Sequence, residues 1–138
     1  MTRTRFSALM SAVFGMGALV GGTAAAATVS VTLSGADEAP AVNTMAKGQG
    51  KITVADDGTI SGAIITSGMT ATMAHIHVGA AGSNGPPIMS LSKKGDTFEV
   101  PAGAKLDAGQ LKSFKAGELY INVHSAAHMS GEIRGQLK

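Results

Sequence analysis

The chain has 138 residues, a formal net charge of +2 and no cysteine. The missing thiols exclude disulfides, thiolate zinc sites, iron–sulfur clusters and a blue-copper centre, so a metal would have to be held by His, carboxylate, Met or backbone. The excess charge belongs to Arg3 and Arg5; without them the eleven basic residues become nine against nine acidic ones, and no basic patch remains for nucleic acid or an anionic membrane.

Taken from the N-terminus, Arg3 and Arg5 precede an apolar stretch from Ala8 to Val20 and the small residues Ala25, Ala26 and Ala27. This is the layout of a secretory signal, and the apolar stretch is shorter than the roughly 20 residues a membrane span needs. Cleavage is expected after Ala27. Removing 27 residues from 138 leaves 111, which make one domain over 28–138, periplasmic or secreted and free of the membrane.

In that domain β-branched residues alternate with small or polar ones in short, glycine-bounded runs. Strands are predicted at Thr28–Ser34, Gly50–Ala55, Thr59–Thr66, Thr72–Val78, Glu118–His124 and Glu132–Leu137, with shorter ones at Ile88–Leu91 and Thr97–Val100. Asp56-Asp57-Gly58 reads as a hairpin turn. Ala108–Lys115 alone reads as a helical turn, so the fold class is all-β, an antiparallel Greek-key β-sandwich of superoxide-dismutase-like or immunoglobulin-like type. Asp37-Glu38 and Asp56-Asp57 lie in turn-like stretches and are read as solvated loop residues.

All four histidines fall in two segments, residues 73–79 and 120–129. Successive strand residues face opposite ways, so His75 and His77 share a face with Met73 while Ala74, Ile76 and Val78 face the core. By the same alternation Leu119, Ile121 and Val123 face inward and Tyr120, Asn122 and His124 outward. If the two strands are neighbours, His75, His77 and His124 converge, and His128 can fold over them from the following loop. Neutral imidazoles gathered in this way are metal ligands, and copper is preferred over zinc because such sites follow the Irving–Williams order. An isolated His-x-His on an exposed strand is otherwise simple surface decoration. Met73 and Met129 are read as packing residues, although a thioether beside imidazoles suits Cu(I).

The stretch Gly79 to Pro87 lacks the lysine and helix of a phosphate-binding loop and is expected to shape the wall of the site. In the last strand Ile133 and Leu137 face the core and Glu132, Arg134 and Gln136 face out, with Arg134 either beside the histidines or paired with Glu132 or Glu118. Ser90 and Ser125 lack a nucleophile-elbow context, which sets aside a serine hydrolase.

His75-Ile-His-Val-Gly-Ala-Ala-Gly-Ser-Asn-Gly-Pro, then Gly117-Glu-Leu-Tyr-Ile-Asn-Val-His, then Gly131-Glu-Ile-Arg-Gly-Gln resembles the CHRD domain, named for chordin. That resemblance covers essentially the whole mature chain and implies an extracytoplasmic β-sandwich. His-Ile-His followed by glycine also resembles, more locally, the copper-ligand strand of Cu/Zn superoxide dismutase. It implies that His75 and His77 are copper ligands and that Arg134 is a catalytic arginine attracting superoxide, with His124 and His128 completing the set by geometry. The absence of the enzyme's cysteines and zinc loop leaves a copper-only site. Three functions follow: dismutation of superoxide at a single copper ion, copper carriage without catalysis, or a metal-free partner-binding module whose histidines form a local hydrogen-bond network.

Overall fold

The computed structural model describes residues 25–138. The signal reading falls almost entirely on residues 1–24, which lie outside the described residues. Among the described residues there are nine strands and one α-helix: β1 (Ala26–Ser34), β2 (Lys47–Ala55), β3 (Ile60–Ser67), β4 (Ala71–Val78), β5 (Pro87–Ser90), β6 (Ser92–Lys94), β7 (Thr97–Glu99), α1 (Ala108–Lys115), β8 (Leu119–Ser125) and β9 (Ile133–Gln136). No helix among them is long and apolar enough to cross a membrane.

All nine strands belong to one antiparallel sheet, in the order β5-β4-β8-β9-β1-β2-β3-β7-β6. The two separate sheets expected of a sandwich are therefore not seen among the described residues; one sheet wraps into a nearly closed barrel. Its two edge strands, β5 and β6, are consecutive in the chain and joined only by Leu91, whose N–H donates to Ala74 O at 3.0 Å. A single residue thus links the ends of the sheet and brings its two edge strands together, although they do not pair with each other.

Alternation decides what fills the barrel. Val31 and Leu33 from β1, Ile52 and Val54 from β2, Ile64 from β3 and Phe98 from β7 meet Ala74 and Ile76 from β4, Ile121 and Val123 from β8 and Ile133 from β9, all buried. Burying an aliphatic side chain of this size stabilises the fold by about 1.5–3 kcal/mol. The chain turns between β2 and β3 at Asp56-Asp57-Gly58 as expected, with Gly58 N–H bonded to Ala55 O at 2.9 Å. Helix α1 begins at a capping box, in which the Asp107 side chain accepts from Gln110 N–H at 2.8 Å and the Gln110 side chain accepts from Asp107 N–H at 3.0 Å.

Candidate metal centre

The outward faces of β4, β8 and β9 form a lattice of polar side chains. Register sets Met73 opposite His124, His75 opposite Asn122, and His77 opposite Tyr120; Asn122 and Tyr120 in turn face Arg134 and Gln136 on β9. Tyr120, Asn122, His124, Glu132 and Arg134 were expected on a solvated face, yet all five are buried. Three connections cover that face. Residues 35–46, 79–86 and 126–132 fold over it and are tied down by polar contacts: Asn84 Nδ2 donates to Ala39 O at 2.6 Å, Arg134 Nη2 to Ala80 O at 2.9 Å, and Thr44 Oγ1 to Glu132 Oε2 at 2.8 Å. Strand β8 is consequently buried on both faces, and the second layer it packs under is polar.

Within this layer one ring nitrogen each of His75, His77 and His124 lies within 4.8 Å of the others. Backbone carbonyls orient two of the rings. His77 Nδ1 lies 2.8 Å from Gly85 O, and His124 Nδ1 lies 2.9 Å from Met129 O. A carbonyl can only accept, so both Nδ1 atoms carry a proton, and in the neutral ring the lone pair then sits on Nε2. His77 Nε2 is buried with no partner, and His124 Nε2 lies 3.1 Å from His75 Nδ1. A lone pair fixed on one imidazole nitrogen by a hydrogen bond at the other is the outer-shell arrangement of metal-binding histidine. Burial, then the neighbouring His124 and His77, lower the pKa of His75, which favours its neutral form.

His128 does not join this trio. It sits in the turn that follows β8, where its N–H donates to Ser125 Oγ at 3.1 Å, and it lines a neighbouring cavity of about 360 Å³ with His77, Asn122 and Glu38. The fourth ligand expected by folding over the others is therefore placed beside them instead.

The scan of family profiles matches the CHRD domain over residues 29–137. The chain belongs to the CHRD domain family. Searches of curated proteins and of solved structures returned no match. The matched span takes in every residue of the covered layer, so in this CHRD domain the trio, its two carbonyl anchors and the cavity belong to one unit.

Arg134 of the CHRD domain faces away from the barrel core as expected, but it is covered and 1% exposed rather than a solvated cation. Its guanidinium lies 3.4 Å above the Tyr120 ring centroid and donates to Gln136 Oε1 and Ala80 O, in place of the expected pairing with Glu132 or Glu118. His77 stacks on the same tyrosine at 4.8 Å and 7°. Since β4 and β9 flank β8 on opposite sides, Tyr120 is held between the imidazole and the guanidinium and fixes the plane of His77.

Sequence reasoning missed Glu38. In sequence it reads as a solvated loop residue, but it is buried, its Oε1 has no partner, and burial, opposed by nearby Arg134, raises its pKa to about 7. Gly131 makes room for it: a Cβ there would lie 2.6 Å from Glu38 Oε1 and 2.7 Å from Asn122 Nδ2, and its φ is +123°. No pattern in the local sequence could distinguish this carboxylate from Asp37, which is exposed one residue earlier.

Proposed function

We propose that this CHRD domain acts outside the cytoplasm as a copper-binding protein, holding a single ion at His75, His77 and His124. The observation that carries the reading is the trio itself, with two Nε2 lone pairs fixed by carbonyl anchors and one of them buried without a partner. Neutral imidazole nitrogens bind Cu(II) most tightly among the divalent first-row ions, which favours copper over zinc. Superoxide dismutation at such an ion would draw on an exposed cation to guide the anion. Arg134 is buried beneath the covering loops against Tyr120, Gln136 and Ala80, with only Nη1 unpartnered, so binding is better supported than rapid turnover.

One observation favours a second reading. The 3.1 Å approach of His75 Nδ1 to His124 Nε2 is a good hydrogen bond without any metal, as a partner-binding module with a purely structural histidine network would have.

Elemental analysis and a Cu(II) paramagnetic resonance spectrum of the purified protein separate the two. The expected result is bound copper with nitrogen coupling, lost in His75→Ala, His77→Ala and His124→Ala by more than the roughly 10–100-fold that removal of an outer-shell partner costs, and retained in His128→Ala. Wild-type protein that takes up no copper would leave the metal-free module. Superoxide consumption by the copper-loaded protein that clearly exceeds that of His75→Ala would restore the dismutase.

A further inference from the structure

Four large apolar side chains are exposed among the described residues, and three of them are methionines: Met45, Met73 and Met129, at 91%, 51% and 83%, beside Ile65. The sequence suggests that Met73 and Met129 pack; the structure leaves both in solvent. A single exposed apolar residue is ordinary and explains nothing. Position is what distinguishes these two. Met73 lies on the outward face of β4, two residues before His75, and its cross-strand partner is His124. Side chains paired in this way stand about 4.5–5.5 Å apart at Cβ, within reach of an unbranched thioether. Met129 belongs to the connection after β8, and its own carbonyl holds Nδ1 of His124. Met73 by register and Met129 by its backbone carbonyl therefore both stand next to His124, at the end of the trio away from Tyr120, which is 2% exposed. A buried aromatic ring stands at one end of the centre, and two exposed methionines adjoin His124, one in register and one in backbone contact, at the other.

We propose that Met73 and Met129 make this centre an acceptor for Cu(I), supplying sulfur to the reduced ion as it enters and adding it to the histidine nitrogens once it is bound. This rests on the three-histidine copper reading and adds the oxidation state and the port. Thioether is a soft ligand that selects Cu(I), whereas Cu(II) is satisfied by imidazole nitrogen. No carboxylate joins the trio. Glu132, at the start of the adjoining strand, has its oxygens taken by Thr44 and Ser125. An uncharged set of nitrogen and sulfur donors suits the ion of lower charge.

The test uses the intact protein, Cu(I) supplied as its acetonitrile complex in competition with a chromophoric chelator, Ag(I) as a redox-inert surrogate, and Cu(II) separately. The double variant Met73→Leu/Met129→Leu should lose roughly tenfold or more in Cu(I) and Ag(I) affinity relative to any change in its Cu(II) affinity, while Met45→Leu changes none of the three. X-ray absorption at the copper edge should show a sulfur neighbour in the reduced wild type and none in the double variant. A nitrogen-only shell in the reduced protein, or equal Cu(I) affinity with and without the two thioethers, overturns the proposal. If Cu(II) still binds through the histidines in that case, only the port falls. If the wild type binds copper in neither oxidation state, the three-histidine reading falls with it.

Discussion

Glu38 and His75 lie against the same covered layer, and burial favours the neutral form of each. For Glu38 the ordinary pKa of 4.5 rises to about 7 in the folded protein. Below pH 4.5 the carboxyl is protonated in both folded and unfolded chains and has no effect. As pH rises from 4.5 to about 7, only the unfolded chain ionises, so stability falls across that window and levels off above it. Glu38→Gln should abolish this decline and gain on the order of 2 kcal/mol at pH 8 relative to wild type, with little difference at pH 4. Denaturant midpoints at the two pH values check it, and a wild type equally stable at both would contradict it. His75 works from the other side: its lowered pKa means that protonation is resisted in the fold, so acid below its usual value near 6.5 costs stability.

At the scale of elements, the hairpin between β8 and β9 carries more of the site than its length suggests. Its seven-residue connection, 126–132, supplies the Met129 carbonyl for His124, the turn that holds His128, and Gly131. Gly131→Ala would place a methyl against Glu38 and Asn122 at a φ of +123° that side chains rarely adopt. It should cost about 2 kcal/mol or more and weaken copper binding by shifting the anchor of His124, measured by thermal unfolding and by copper titration of the same sample. The elements themselves were largely legible. Alternation located eight of the nine strands to within a few residues, and Ala108–Lys115 was read with its observed bounds. Strand β6 was not, because Ser92, Lys93 and Lys94 are all exposed and present no apolar face to detect.

For the whole molecule, the trio joins β4 to β8, two strands separated by some 40 residues of chain, so an ion held there ties distant parts of the barrel together. A ligand that binds only the native state stabilises it by mass action, by about 2.7 kcal/mol at 100 times its dissociation constant. Copper should therefore raise the melting temperature of wild-type protein in a concentration-dependent way and leave that of His124→Ala unchanged. An equal shift in both would place the bound ion elsewhere.

What the amino-acid sequence determined by itself was everything that depends on neighbours along the chain. Alternation assigned Ala74 and Ile76 to the core and His75 and His77 to the other face; clustering of the histidines pointed to β4 and β8; the paired motifs pointed to the CHRD domain. Tertiary structure decided what depends on segments remote in sequence. It rolled the strands into one sheet through Leu91, brought His124 beside His75, and laid three connections over the outward face. That last step separated exposure from orientation: Arg134, Tyr120 and Asn122 point away from the barrel core as alternation requires, yet are buried because loops from elsewhere in the chain cover them. Period-two patterning reports which side of a sheet a residue occupies, and carries no information about what is packed on that side.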